Sequence, residues 1–238
     1  MSRWVGVLAA VVLSSLAGSL VHADSWAPPE VETYVSPDGR ARIIITPREI
    51  SSVLAYFEDR LRDRFEDRVR DRPLAGQRAD STQTTATGRL ERRDAEGRWQ
   101  AVWERPLVND VAPVAALVAD DGRYVVTFDN WHSMGHGDNV MVAYGPDGAL
   151  IRSLRLDQIL PAYFIDGIPR SVSSIRWRAD GSTIDGATLR LAVVAPSTER
   201  QSETSDRFVV EVDLATGTVA EIDAATMIRL RPVACQLH

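Results

Sequence analysis

Residues 113–156 read PVAALVADDGRYVVTFDNWHSMGHGDNVMVAYGPDGALIRSLRL, and this stretch decides the fold. It contains four short apolar segments that are rich in β-branched and aromatic residues, a composition that predicts β-strands. Asp121-Gly122 separates the first two segments and Asp147-Gly148 separates the last two. Asp-Gly pairs favour tight turns because glycine adopts a positive φ readily. The stretch therefore predicts an antiparallel meander of four strands.

The same pattern recurs on both sides of this unit. Another unit spans residues 171–223, with the segments SVSSIRWR, TLRLAVV, RFVVEVDL and TVAEI. A degraded unit spans residues 31–107 and ends in GRLERRD and RWQAVWER. Units of about 45 residues with four strands are typical of β-propeller blades. Closed propellers use about four to eight blades, so three units predict a mainly β, open or irregular propeller-like arc. A β-sandwich is the alternative.

Residues 47–71 interrupt the β pattern. The segment Thr-Pro-Arg-Glu at 46–49 has the features of a helix start, with Thr as the N-cap and Pro at the first helical position. Apolar residues then recur every three or four positions from Ile50 to Val69, which predicts one accessory amphipathic helix packed on the domain. Its charged side favours contact with solvent over a coiled coil, since only about two to three heptads are present. Residues 73–87 are predicted to be a polar loop.

Residues 1–23 have the pattern of a secretory signal peptide. Arg3 is followed by an apolar run, and the segment ends in Val-His-Ala before Asp24. Cleavage there would leave a single mainly β domain over residues 24–238, located in the periplasm or secreted. We expect no stable membrane insertion after cleavage, because several polar residues make the segment a poor permanent span.

The charge and cysteine content narrow the classes of partner. The chain has 27 basic and 33 acidic residues, a net charge of -6, and all of its Lys+Arg total is arginine. This balance disfavours a general nucleic-acid binder, which needs a basic face. Cys235 is the one cysteine, so no internal disulfide is possible. Its role stays open between a buried thiol and a bridge between two chains of a homodimer.

The densest group of chemically versatile residues is TFDNWHSMGHGDN at 127–139, the histidine loop. Asp129, His132, His136 and Asp138 could together bind a divalent ion and support a metal-assisted hydrolase. However, two histidines four residues apart share a face only on a helix, and this segment lies between two predicted strands. A G-x-S-x-G nucleophile motif is also missing, since Trp131 stands where its first Gly would be. The sequence therefore predicts no catalytic residue and no cofactor.

Two other interpretations of the histidine loop are favoured over the metal site. In the structural interpretation, Phe128 and Trp131 fill the core while Gly135 and Gly137 adopt positive φ. In the second, the loop is a ligand site on a rigid β scaffold. The residues predicted for ligand binding are Asp129, Asn130, Trp131, His132, His136 and Asp138.

The stretch from DDGRYVVTFDNW through the GD step to SVSS resembles a group of exported bacterial proteins that share these motifs. The resemblance covers roughly residues 99–178. It implies that the histidine loop belongs to the framework of the fold, and it assigns no activity or catalytic residue. With the predicted export and the repeated strands, it favours a non-catalytic binding or interaction module of the bacterial cell envelope. The partner would be a ligand or an envelope protein that the sequence does not identify.

Overall fold

The described chain forms three four-stranded antiparallel sheets, each of which is a simple meander. A computed structural model describes residues 27–65, 73–196 and 206–235. The predicted mainly β fold with three blade-like units is confirmed, and the described strands do not close into a barrel. The predicted signal peptide, residues 1–23, lies outside the described residues.

Each sheet follows the order of its strands in the sequence. The first sheet contains β1 (Glu32–Val35), β2 (Ala41–Thr46), β3 (Thr87–Arg93) and β4 (Trp99–Pro106). The second contains β5 (Ala115–Val118), β6 (Val125–Phe128), β7 (Met141–Tyr144) and β8 (Leu150–Leu154). The third contains β9 (Thr183–Asp185), β10 (Thr188–Val194), β11 (Arg207–Asp213) and β12 (Thr218–Val219).

The second sheet is the middle layer, and both of its faces are covered. Every residue of β6 and β7 is buried. On one face Val125 and Val142 pack in a cluster with the first sheet, and on the other Val126 and Met141 pack in a cluster with the third sheet. This double burial explains why β6 and β7 are continuous apolar runs, whereas β2 and β11 alternate between buried and more exposed residues.

The outer faces of the first and third sheets carry paired charges. On the first sheet Arg42 bonds Glu91 across neighbouring strands, with 2.6 Å between Nη2 and Oε2. On the third sheet Arg190 and Glu211 are also cross-strand partners, with 3.3 Å between Nη1 and Oε1. Glu91 is already buried by its own sheet, but packing another sheet on either face would also require the burial of Arg42 or of Arg190 and Glu211, which is costly. The three-sheet stack therefore ends in polar surfaces, like the capped ends of repeat proteins.

The first strand of each sheet lies on the same side of the stack. β5 contacts β1 and β2 of the first sheet and β9 of the third. This arrangement resembles propeller blades, whose sheets are arranged around a central channel. The approach of β1 to β5 matters for function because it places the start of the described chain beside the histidine loop.

The helix between β2 and β3, α1 (Val53–Phe65), begins later than predicted. Thr46 is the last residue of β2 and not a helix cap. Ser52 has the capping role, since its Oγ accepts a hydrogen bond from the backbone N–H of Ala55 at 3.0 Å. The Thr-Pro-Arg-Glu signal was therefore wrong, because the strand continues through Thr46 before the chain turns. Residues 66–71 of the predicted helix lie outside the described residues.

The apolar residues of α1 do not form a single buried stripe, which is a second correction. Tyr56 is buried, with 1% of its surface exposed, but Leu54 and Leu61 are 68% and 56% exposed. Tyr56 packs in a small cluster with Trp131 and Val111. The helix thus contacts the sheets through a narrow aromatic edge.

The third unit also differs from the prediction in its first strand. Residues 171–178 are not a strand and form only isolated bridges, of Arg170 with Ile175 and of Arg178 with Val193. The first strand is Thr183–Asp185 instead, and the last is shortened to Thr218–Val219. Residues 73–86 contain no helix or strand, in agreement with the predicted polar loop, and Thr87 begins β3.

Three short helices were not predicted: a 3-10 turn (Leu156–Gln158), α2 (Ala162–Asp166) and α3 (Ala224–Cys235). They cover one end of the core between the second and third sheets through Leu156, Phe164 and Leu230. No helix within the described ranges is both long and apolar enough to span a bilayer.

Candidate functional site

The histidine loop connects β6 to β7 and has an unusual backbone. Asp129, His132 and Asn139 have φ of 58°, 64° and 64°, and Gly135 and Gly137 have φ of 71° and 72°. Asp, Asn and His are the non-glycine residues that tolerate this region best. The predicted positive φ at both glycines is confirmed, and the loop follows a tight path that few other residue types could adopt.

Gly135 is required by packing as well as by φ. A Cβ atom on Gly135 would lie 2.8 Å from Cβ of Ile175 and 3.1 Å from Cδ1 of Trp177. Gly137 has nothing within 4 Å of the same position. The loop is therefore pressed against residues 175–177 at Gly135 and is open to solvent at Gly137.

The carboxylate of Asp129 holds the loop from inside. Asp129 is fully buried, and its Oδ1 accepts hydrogen bonds from the backbone N–H of Gly135 at 2.6 Å and from Nε1–H of Trp177 at 3.1 Å. Burial raises the pKa of Asp129 to about 6, and the hydrogen bonds from Gly135 and Trp177 only partly offset that rise. Both oxygens face donors of the protein itself, so this carboxylate serves the fold.

Two asparagines fix the rest of the loop. Asn130 donates through Nδ2 to the carbonyl of Asp138 at 2.8 Å, which closes the loop on itself. Asn139 donates to the carbonyl of Val108 at 3.1 Å and accepts from the hydroxyl of Ser153 at 2.7 Å. The bonds of Asn139 tie the loop to the segment before β5 and to strand β8. Both amide side chains therefore have a structural role.

His132 forms part of a polar chain that reaches α1. Its Nε2 lies 2.7 Å from the hydroxyl of Tyr56, which lies 3.0 Å from Oδ2 of Asp110. Burial and then Asp110 raise the pKa of Tyr56, so its hydroxyl keeps its single proton. An ionised carboxylate only accepts hydrogen bonds, so Tyr56 donates to Asp110 and accepts from Nε2–H of His132.

The histidine in this chain is a neutral donor. Burial and the nearby Arg60 lower the pKa of His132 to about 4. Because Nε2 carries a proton and donates it in a hydrogen bond to Tyr56, this nitrogen is not available as a base at neutral pH. Asp110 is held in turn by Arg48, whose Nη2 lies 3.0 Å from Oδ1. The polar chain therefore links α1, the segment before β5 and the histidine loop.

The remaining two residues of the predicted metal site stand apart from these groups. His136 and Asp138 are exposed at the tip of the loop, and partial burial together with Arg170 lowers the pKa of His136. In the described parts of the chain, no group of three or more His, Cys, Asp or Glu side chains is arranged to hold a metal ion. Asp129, His132, His136 and Asp138 are thus not brought together as the metal interpretation requires.

Trp131 is the residue of the histidine loop that lines a pocket. Its backbone N–H bonds the carbonyl of Ala112 at 2.8 Å, and its Nε1–H bonds the carbonyl of Ala27 at 3.0 Å. Its indole packs edge-on against Tyr56, with ring centroids 5.3 Å apart. Beside it lies a pocket of about 390 Å³, the Trp131 pocket, between Ala27, the first described residue, and strand β1.

The walls of the Trp131 pocket are mainly apolar, with acidic groups among them. The apolar part includes Pro28, Ile45, Pro113 and Val114. The acidic part is Glu30 and Glu32, and the aromatic part is Tyr34 and Trp131. The hydroxyl of Tyr34 donates a hydrogen bond to the carboxylate of Glu32, so the acidic and aromatic walls are joined.

A larger cleft of about 670 Å³ lies at the turns of the first two sheets, where Arg40, Arg92, Asp94 and Asp121 are among the lining residues. The charges here include both signs, and Arg92 already donates to the carbonyl of Asp121 at 3.1 Å. This cleft is lined by a larger share of polar groups than the Trp131 pocket, and its charges are of both signs.

The sequence did not single out the residues that complete the site. Tyr34, Tyr56 and Asp110 lie far from the histidine loop in the chain, and only the fold brings them to it. Tyr56 lies on the helix among the apolar positions, and no motif distinguishes it from them. No pattern of spacing within one strand or helix could have identified these partners.

No protein-family model matches the chain, and no curated protein is significantly similar to it.

Proposed function

We propose that the chain is a non-catalytic binding module of the bacterial cell envelope, whose ligand occupies the Trp131 pocket. One contrast carries the proposal. Asp129 and His132, the loop groups best suited to chemistry, are bound to the protein's own donors and acceptors, whereas Trp131 lines a pocket of about 390 Å³. That volume lies within the range of about 300–1,000 Å³ that is usual for small-molecule sites.

The rigidity of the pocket supports this function. Trp131 is held by two hydrogen bonds and by Tyr56, and Val114 bonds the carbonyl of Phe128 through its N–H at 2.8 Å. Sites whose side chains are fixed by a supporting layer bind with a smaller loss of conformational entropy. The polar chain from Arg48 to His132 is such a layer.

The envelope location rests on the predicted signal peptide and on the resemblance to exported bacterial proteins. Expression of the full chain in a Gram-negative host would test it. We expect the protein in the periplasmic fraction or the medium, with Asp24 as its N-terminal residue by sequencing. Protein with an intact N-terminus in the cytoplasmic fraction would contradict the envelope location. That result would not bear on the proposal that the pocket binds a ligand.

The binding function can be tested by filling the pocket. Val114→Trp would place an indole in it, whereas Val209→Trp adds the same group on the exposed outer face of the third sheet, where Val209 is 43% exposed. A library of small soluble fragments would be screened by saturation-transfer NMR against the natural protein and both variants. We expect some fragments to bind the natural protein and Val209→Trp but not Val114→Trp.

The proposal fails if no fragment shows this selectivity while circular dichroism and thermal melting show that Val114→Trp is folded. If Val114→Trp does not fold, Val114→Phe gives the same comparison with a smaller ring. Fragments that bind all three proteins equally would place binding elsewhere and would also contradict the proposal.

A further inference from the structure

The Trp131 pocket has an electrostatic bias that its volume alone does not show. Glu30 and Glu32 are the charged residues that line it, and both are exposed to solvent. Arg178 interacts electrostatically with Tyr34, but it does not line the pocket and also interacts with Asp129 and Asp180. Among the described residues that line the pocket, the charged side chains are therefore all acidic.

Glu32 keeps hydrogen-bonding capacity toward a ligand. It is the first residue of β1, and its Oε2 accepts the hydroxyl of Tyr34. An ionised carboxylate has about four lone-pair positions, so one bond from Tyr34 leaves most of them available. The same bond fixes the direction of the carboxylate, which lowers the entropy that a ligand must remove on binding.

The aromatic walls, like the carboxylates, favour a positively charged ligand. Tyr34 and Trp131 both line the pocket, and the faces of such rings attract cations through their quadrupole. The apolar residues Ile45, Pro113 and Val114 offer contact to an uncharged body. The pocket thus combines an apolar floor, aromatic rings and two carboxylates, which together complement an apolar molecule with one positive end.

We propose that the Trp131 pocket binds a small organic cation, with an apolar or aromatic body against Val114 and Trp131 and an ammonium or guanidinium group beside Glu30 and Glu32. This inference rests on the proposed binding function and names the chemical class of its ligand. An anionic ligand would meet two carboxylates without a compensating charge in the pocket walls. A neutral ligand would leave the charged part of the pocket unused.

Three probes of similar size test the class of ligand: 2-phenylethylammonium, 2-phenylethanol and 3-phenylpropionate. Their dissociation constants would be measured by titration calorimetry or NMR at low and high salt. We expect the cation to bind about tenfold more tightly than the alcohol, and the anion most weakly. The preference for the cation should shrink as salt screens the exposed carboxylates.

Conservative variants assign that preference to the two carboxylates. In Glu32→Gln the amide oxygen can still accept the hydrogen bond from the hydroxyl of Tyr34. This variant should therefore keep the shape of the pocket and lose one negative charge. We expect Glu32→Gln to weaken binding of the cation about fivefold, and Glu30→Gln with Glu32→Gln to bring the cation to the level of the alcohol. Glu221→Gln, an exposed carboxylate beyond β12, is the matched control and should leave all three affinities unchanged.

The outcomes separate this inference from the function on which it rests. If the alcohol or the anion binds as tightly as the cation, and Val114→Trp abolishes that binding, the cation proposal is overturned and the binding function stands. If the cation binds with equal affinity to the natural protein and Val114→Trp, it binds elsewhere and the cation proposal is also overturned. If none of the three probes binds, the cation proposal fails, and the fragment screen decides the binding function separately.

Discussion

Replacement of Asp129 by asparagine should change how the stability of the protein depends on pH. The structure places this carboxylate in a fully buried position, and burial raises its pKa from the ordinary value of 3.8 to about 6. Between these two values the folded protein binds more protons than the unfolded chain, so the contribution of Asp129 to stability falls as pH rises through this window. Each pH unit is worth about 1.4 kcal/mol, which gives about 3 kcal/mol in total.

Asparagine keeps an oxygen that can accept from Gly135 and Trp177 but carries no titrating group. The unfolding free energy of Asp129→Asn minus that of the natural protein should therefore increase by about 2 kcal/mol between pH 4 and pH 7, which is most of the total. The amide NH2 group of the asparagine replaces one carboxylate oxygen, and how well the site accommodates it affects the stability of the variant equally at every pH. It therefore does not change the pH dependence of the difference. Other titrating groups, His132 included, contribute equally to both proteins and cancel.

Urea denaturation at several pH values, followed by tryptophan fluorescence, measures this difference directly. Asp138→Asn is the matched control for the loss of one negative charge, since Asp138 is an exposed carboxylate at the tip of the same loop, and it should change the unfolding free energy at neutral pH by less than about 0.5 kcal/mol. A constant difference for Asp129→Asn, or one that decreases toward pH 7, would refute the assignment of Asp129 as a desolvated carboxylate.

Three further perturbations test the supports of the site. Gly135→Ala should destabilise the protein by about 3 kcal/mol in chemical denaturation, because it combines left-handed φ with a contact at 2.8 Å, whereas Gly137→Ala should cost only about 1 kcal/mol for its φ. Asp110→Ala should cost about 3 kcal/mol, because it leaves the buried guanidinium of Arg48 without its acidic partner and with only the carbonyl of Ala75 to bind. Arg48→Met removes the buried charge itself, so a larger loss for Arg48→Met would contradict this reasoning. The pKa of His132 is lowered from 6.5 to about 4, so the folded protein binds fewer protons than the unfolded chain in this window and loses stability as pH falls through it. His132→Gln should weaken that acid sensitivity by at least about 1 kcal/mol after solvent screening, and an unchanged pH profile in thermal melting would contradict the burial of the imidazole.

The sequence predicted the β meanders well because their signals are local. Asp-Gly turns and apolar segments identified β2 and β5 to β8 close to their observed positions, since strand and turn depend on a few adjacent residues. The helix start was misplaced because Thr46 and Pro47 satisfy the rules for a cap as well as those for a strand end. The segment 171–178 was misassigned because its alternating pattern fits a strand, whereas most of it pairs with residues outside any strand.

The site was harder to predict because its parts come from distant segments. The sequence identified the histidine loop as a special feature and anticipated the conformation of Gly135 and Gly137. It gave no way to know that Tyr56 would receive the hydrogen bond of His132, or that Ala27 would receive that of Trp131. Such partners are brought together by the packing of the sheets and α1, and no local pattern in a single sequence identifies them.

The double coverage of the middle sheet has a consequence for the lifetime of the site. Amide protons of β6 and β7 should exchange with deuterated solvent more slowly than those of β4 or β12, which lie at the edges of outer sheets, because local opening of an outer sheet need not disturb the centre. Hydrogen exchange followed by NMR would show this gradient. The histidine loop is anchored at both ends in β6 and β7. Trp131 should therefore stay in place while the edge strands of the outer sheets open transiently.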